Sequence, residues 1–147
     1  MTPHRSQNYT QISDWAPVFA LPNVTLVSLQ SSEFGNDSAL IEELSAIQDE
    51  FGIKVHHFNE LDHWDDLDDV AALSAALNFA ISIATTLPTI TAGVGTPTKI
   101  AAWRQSAWSN ILLSPVGPYV DVFERNTWDP WDKVFNSIVE NIQQNKI

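Results

Sequence analysis

The sequence predicts a doubly wound α/β fold: a parallel sheet of about five strands with helices on both faces. Three observations lead there. Short β-branched or apolar runs alternate with segments of helical periodicity along most of the chain. Most of the runs are apolar on both faces, as strands covered by helices on both sides are. The stretch ISIATTLPTITAGVGTPTKI, residues 81–100, reads as strand, turn, small-residue helix, Gly-x-Pro, strand. Turns of that design often hold a phosphate or a sugar at the helix start.

The elements follow in order. Ser13 or Asp14 can cap a short helix over residues 15–20, which Pro22 and Asn23 end. VTLVSL (24–29) reads as a buried strand. Asp37 or Ser38 caps a helix with Leu40, Ile41, Leu44, Ile47 and Phe51 at helical spacing, and Gly52 stands where the chain leaves it. Residues 53–58 form a second strand, followed by the acidic loop LDHWDDLDD. A helix over 67–77 places Leu67, Val70, Leu73 and Leu77 on one side. Residues 79–84 make the third strand. A short helix covers 87–94, with Pro88 tolerated in its first turn. Residues 98–103 make the fourth strand and 119–123 the fifth. Asp129-Pro130 then starts a helix that turns Trp131, Val134, Phe135, Ile138, Val139 and Ile142 inward. This divides the chain into a loose N-terminal segment, 1–12, and a single domain over 13–147.

The 147 residues carry a net charge of −11, with 44% hydrophobic and 17% charged residues. That composition is globular. The charge argues against self-driven binding to nucleic acid or anionic membrane. A bound anion would need local donors. The absence of cysteine removes disulfides and thiolate metal sites and fits a reducing compartment. The first twelve residues are polar, and no apolar run reaches the roughly 18 residues of a membrane span. The expectation is a cytoplasmic protein without a membrane span.

Ligands of doubly wound sheets sit beyond the carboxyl ends of the strands, which singles out loops 30–37, 58–66, 84–88 and 103–118. In them, Thr85 and Thr86 either hold a phosphate or merely let a small-residue helix pack closely. Gly95 and Pro97 suit a helix exit with positive φ. Asp62, Asp65, Asp66, Asp68 and Asp69 suit helix capping better than a cation, because the run leads into a helix and lacks a glycine turn. His56 and His57 are adjacent on a strand and point to opposite faces, so with His63 they make a poor zinc site, and no metal is expected. Arg104 can pair with a phosphate or with one of the many acids. Trp103, Trp108, Trp128 and Trp131 read as core or loop anchors, and Trp64 as the exposed aromatic. No P-loop, Gly-x-Gly-x-x-Gly or Gly-x-Ser-x-Gly motif is present, and no catalytic residue can be named.

The order of several short motifs resembles one family. They are Arg5-Ser6, then ISDWAPVFALPNVTLVSLQ, HHF, the run Asp62 to Asp69, DLDDVAALSAAL before FAISIA, Gly95-Thr96-Pro97, Trp103-Arg104, Ser114-Pro115 with Pro118, and Trp128. Nearly the whole chain resembles the C-terminal half of bacterial GT-B glycosyltransferases of family nine, the heptosyltransferase-like domains that often follow tetratricopeptide repeats. The resemblance implies a Rossmann-like half that binds a nucleotide-sugar donor, with the acceptor on a separate N-terminal domain and no cofactor. It implies Thr85, Thr86 and Arg104 at the diphosphate and Asp68 at the ribose. Two departures stand out. Where the family has Asp and His in the third-strand motif, this chain has Ala84 and Thr89. The family's first, central strand lies upstream of Arg-Ser, and nothing in residues 1–12 replaces it. Either Met1 is not the true start, or another chain supplies the strand, or the sheet closes without it. The chain therefore reads as an incomplete or degenerate donor half, unlikely to transfer sugar alone. The alternative is a non-catalytic protein-interaction module derived from such a domain.

Overall fold

A computed structural model describes residues 9–31, 38–104, 117–126 and 128–145. Arg5, Ser6, Asp37, Trp108, Ser114 and Pro115 lie outside the described residues, as do parts of the loops 30–37 and 103–118. The chain is α/β with two small parallel sheets, one of two strands and one of three. Among the described residues, a single sheet of five strands is not formed.

The first sheet is short. A 3₁₀ turn, Ile12–Trp15, runs into α1, Ala16–Phe19. It starts earlier than expected because Asp14 acts from inside the turn: the Gln11 backbone N–H donates to Asp14 Oδ2 at 2.7 Å. Asn23, at φ +59°, turns the chain into β1, Leu26–Val27. After α2, Ser38–Phe51, comes β2, Val55–His56, paired parallel to β1 with Leu26 opposite Val55. Leu40 and Ile47 are buried on α2, whereas Ile41 is 51% exposed. It follows Leu40 directly, so it lies about 100° around the helix from that buried face. Gly52, at φ +67°, closes α2 by donating its N–H to the Gln48 carbonyl at 2.9 Å, a conformation that suits glycine.

The second sheet holds the core. α3, Leu67–Ala75, leads to β3, Ala80–Ile83. α4, Leu87–Gly93, crosses to β4, Thr98–Trp103, and Gly95 makes the exit with φ +86°. A second 3₁₀ turn, Gly117–Tyr119, enters β5, Val120–Arg125, and α5, Trp131–Asn145, follows. β4 is central, with Ala80 opposite Thr98 on one side and Thr98 opposite Val120 on the other. Side chains alternate between the two faces. Ile81, Ile83, Ala101 and Phe123 meet α5 and α1 in a cluster built on Val18, Leu21, Val134, Phe135, Ile138 and Ile142. Ile100, Ala102, Val120 and Val122 meet Ala92 of α4 on the other face.

All six residues of β4 are buried, including Lys99. Its ammonium is neutralised by Asp121, its register partner on β5. Leu67, expected on the inner side of α3, is 59% exposed because it opens the helix, ahead of the buried Val70. One hydroxyl bond ties α3 to the turn that enters β4, with Thr96 Oγ1 donating to the Ser74 carbonyl at 2.8 Å, while within α3 Ser74 Oγ donates to the Val70 carbonyl at 2.6 Å.

Candidate functional site

All strands run the same way within their sheets, so each sheet has one carboxyl edge. α3, α4 and α5 each return the chain or start from that side. Of the four residues singled out by sequence, Thr85 and Thr86 between β3 and α4 and Arg104 after β4 fall at the carboxyl ends of the three-stranded sheet, and Asp68, in the first turn of α3, follows β2 of the two-stranded one.

Thr85 and Thr86 are exposed. The Thr85 N–H donates to the Ile83 carbonyl at 2.8 Å, which folds the chain sharply off β3. Thr86 stands at the cap position of α4, and its side chain makes no capping bond. Its carbonyl accepts from the Thr89 N–H at 3.0 Å. Both threonines thus lie exposed where the chain leaves β3. Pro88 is buried in the first turn of α4 and offers no N–H.

Arg104 lies within a network that sequence spacing does not reveal. Its N–H donates to the Arg125 carbonyl at 3.1 Å, and its Nη1 donates to Asn126 Oδ1 at 3.2 Å. Asn126 Nδ2 in turn donates to Asp129 Oδ2 at 2.9 Å. Lys133 Nζ stands 3.4 Å from Asp129 Oδ1, and Arg125 Nη1 donates to the Asp129 carbonyl at 2.9 Å. The Arg125 guanidinium lies over the Trp131 ring, 4.2 Å from its centre. Three of the chain's seven basic residues, Arg104, Arg125 and Lys133, gather here. The hydrogen bond from Asn126, and after it the charge of Lys133, hold Asp129 below the ordinary aspartate range. Burial lowers Arg125, against the pull of Asp14 and Asp129. A cavity of about 140 Å³ opens beside this network, lined by Glu124, Arg125, Asp129, Lys133 and Ser137 among others. Pockets that enclose whole small-molecule ligands run to roughly 300–1,000 Å³, so this one is too small to enclose such a ligand.

Asp68 is exposed, and its N–H is held by Asp66. The acidic loop is a pair of successive caps. Asp62 Oδ1 accepts from the N–H groups of Trp64 and Asp65, each at 2.9 Å. Asp66 Oδ1 accepts from Asp68 at 3.1 Å and Asp69 at 3.0 Å and starts α3. The bonds from Asp65 and Trp64 hold Asp62 below the ordinary aspartate range. Among the described residues, no three or more metal-ligating side chains are gathered into one group.

Three features were not visible in the sequence reading. His57 stacks on His63, with ring centres 4.6 Å apart and planes 24° apart, while His56 is exposed. Trp128, expected as an anchor, is 93% exposed, against 48% for Trp64. Lys99 is a buried cation in the middle of an apolar strand. Trp103 and Trp131 are buried as expected. No hydrogen bond among the described residues joins Asp68 or the two threonines to the Arg104 network.

Comparison with known proteins adds one relative. The chain is 27% identical over 136 residues to Protein FlbA of Caulobacter vibrioides, an alignment covering 91% of the chain and 22% of FlbA. The chain thus spans about a fifth of that relative's length. No family model matches, and no solved structure does. Among the described residues, no helix is long and apolar enough to cross a membrane.

Proposed function

We propose that this chain is the nucleotide-sugar-binding half of a glycosyltransferase-like protein, a Rossmann-like domain whose sheet is incomplete when the chain stands alone. The observation that carries the reading is one of position. Two solvent-facing threonine hydroxyls leave β3 at the edge where Arg104 leaves the neighbouring strand β4. Hydroxyls and a guanidinium that follow neighbouring strands suit a diphosphate in a chain whose overall charge opposes anions. Trp128, exposed two residues after Asn126, offers an aromatic face to solvent. Asp68 is the candidate for the ribose, since a carboxylate accepts two hydroxyl hydrogen bonds. In a completed protein, an acceptor would attack the anomeric carbon of the donor directly. This half would serve by positioning the donor and stabilising the leaving diphosphate. The acceptor and any general base would come from elsewhere.

The test is an amide NMR titration of the chain with ADP-, UDP- and GDP-sugars. Saturable shifts at residues 84–90 and 104 are expected, weakened about tenfold by Thr85→Val or Arg104→Ala, the loss of roughly one good polar contact. A well-dispersed spectrum that ignores all three donors would sink the reading.

A second reading, a protein-interaction module, is favoured by a different observation. The sheet is split, so β1 and β3 each have a ladder partner on one side only. Open sheet edges recruit polypeptide strands. Under this reading, a chain silent to nucleotides would still hold a protein partner.

A further inference from the structure

We propose that the stacked pair His57 and His63 is an acid-released latch: proton uptake by the two imidazoles frees the loop between β2 and α3, while α3 and both sheets stay folded. The proposal is independent of the nucleotide-sugar reading.

The loop that follows β2 folds back until the His63 ring lies on the His57 ring, with centres 4.6 Å apart and planes 24° apart. His63 Nε2 stands 3.1 Å from the Phe58 carbonyl. A carbonyl can only accept, so Nε2 carries the hydrogen and the neutral ring keeps its lone pair on Nδ1. The same carbonyl accepts the Leu61 N–H at 3.1 Å. The stack and these two bonds close the turn over 58–63. Nδ1 of His57 and Nδ1 of His63 are both buried, and neither meets a hydrogen-bond partner among the described residues.

An imidazolium carries a hydrogen on each ring nitrogen. In the closed loop, a charged ring would place an N–H at a buried atom with nothing to accept it, which is a costly arrangement. Charging both rings would also set two like charges one stacking distance apart. Opening the loop removes both costs, since water reaches Nδ1 and the rings separate. The open form therefore binds more protons than the closed one. Falling pH favours it across the range in which imidazoles take up protons, from about pH 8 to about pH 5.

The charges around the pair do not supply the missing acceptor. The loop itself carries Glu60, Asp62, Asp65 and Asp66, and α3 opens with Asp68 and Asp69. α2, which packs on β2, carries Glu42, Glu43, Asp49 and Glu50. β1 has no ionisable side chain, and Lys54 and the exposed His56 precede the pair. Asp62 adjoins His63, but its Oδ1 is taken by the Trp64 and Asp65 N–H groups. These acids favour imidazolium in the closed and the open loop alike, and the burial of Nδ1 opposes it in the closed loop alone. A shared metal ion is the other use of two histidines. Near-parallel rings hold their Nδ1 lone pairs in separate planes, so the pair does not converge on one ion.

α3 does not depend on the latch. Asp66 starts it by accepting from the N–H groups of Asp68 and Asp69, so opening stops there.

The experiment is residue-resolved hydrogen exchange on the full chain at about pH 7.5 and about pH 5.5, on either side of the ordinary imidazole value. Rates are expressed as protection factors, so that the intrinsic pH dependence of exchange cancels. We expect Leu61, Trp64 and Asp65 to lose protection at least about tenfold at the lower pH, and Val70 in α3 and Ile100 in β4 to keep theirs. Asp62 cannot cause that loss. The N–H groups of Asp65 and Trp64 hold its carboxyl below the ordinary aspartate range, so it stays ionised at both pH values. Joint His57→Phe and His63→Phe substitution keeps two stacking rings and removes both protonation sites, so the pH effect should vanish. His56→Asn should leave the effect intact. If the double variant does not fold, the ring protons of the unaltered chain answer instead: His57 and His63 should lose their mutual ring-current shifts at the midpoint where Leu61 loses protection. Four results would overturn the proposal: equal protection over 58–65 at both pH values, a loss that persists in the phenylalanine variant, a loss that runs on through α3, or rings that take up protons with their ring-current shifts intact.

Discussion

The two sheets grow from runs of similar length, and they end very differently. VTLVSL and IKVHHF each yield two paired residues, mostly half-buried. TKIAAW yields six, all buried. The difference lies in the neighbours. β4 has a strand on each side, α4 on one face and α5 on the other. Among the described residues, β1 has a strand partner on one side only. Propensity proposes a strand, but paired edges and covered faces decide how much of the run becomes ladder. The three-stranded region should therefore carry the stability, and the two-stranded region should be the part that responds to a partner.

The sharpest way to break that contrast is to cut a large side chain from each region. Phe135 is fully buried under the three-stranded sheet, with the Trp15 ring 4.4 Å from its own. Phe135→Ala should cost about 3–5 kcal/mol in urea unfolding, from lost burial plus a cavity. Leu26→Ala, on half-buried β1, should cost about 1–2 kcal/mol. Equal losses would mean that the two regions share one core more evenly than their burial suggests.

A smaller effect sharpens the comparison inside the strong sheet. Lys99 is buried to 3% exposure, and its charge is tolerated through Asp121, whose side chain remains 55% exposed. Asp121→Ala leaves a buried ammonium without its anion and should cost about 2 kcal/mol, moderated because water reaches the vacated site. In a Lys99→Met background, the same change should cost under about 0.5 kcal/mol, since no charge is left to satisfy. A full loss in both backgrounds would show that Asp121 acts through something other than Lys99.

Much of this architecture is legible in the sequence, for reasons the same contrast explains. The residue span of β4 and the inward face of α5 follow from apolar spacing, because covered elements must be apolar where they are covered. Gly52 and Gly95 mark positive φ because few other residues tolerate it. What the sequence hides is contact between distant positions. Arg104 and Asn126 are 22 residues apart, and only the pairing of β4 with β5 brings them together. His57 reads as a strand residue and His63 as part of the acidic loop, and their contact shows only once the loop folds one ring onto the other. Trp128 reads as a core residue by type, yet it precedes the first turn of α5 and points outward. The site residues Thr85, Thr86, Arg104 and Asp68 were chosen by position in a motif, and the fold sets the first three after strands of the larger sheet and Asp68 after the smaller one, without joining them into one network.

The connection between the two regions can be loosened separately. α3 links β2 to β3, and Asp66 caps it by accepting two backbone N–H groups. Asp66→Ala should cost about 1 kcal/mol, read as a lower urea midpoint. Asp66→Asn should recover most of it, because an amide oxygen can accept the same bonds. If the loss instead appears only as faster exchange in 67–75, with the global midpoint unmoved, α3 opens without the sheets, and the two regions are less coupled than a shared core implies.

The mildest test uses pH on the same loop. Asp62 is fully exposed, and two backbone N–H groups favour its ionised form, so its folded pKa lies below its unfolded one. The unfolded chain then binds the proton first as pH falls. The contribution of Asp62 is complete above the unfolded value near about pH 4, and it fades as pH drops through the folded value. Asp62→Asn should leave the chain slightly less stable at neutral pH and flatten its acid sensitivity below about pH 4. Asp129, lowered by Asn126 and Lys133, has the same sign on the far side of the three-stranded sheet. If the split between weak and strong regions is real, protonating Asp62 should first speed exchange in 62–75. Protonating Asp129 should leave the interior of β4 protected until the whole chain unfolds. Simultaneous loss at both places would show that the two sheets unfold as one cooperative unit.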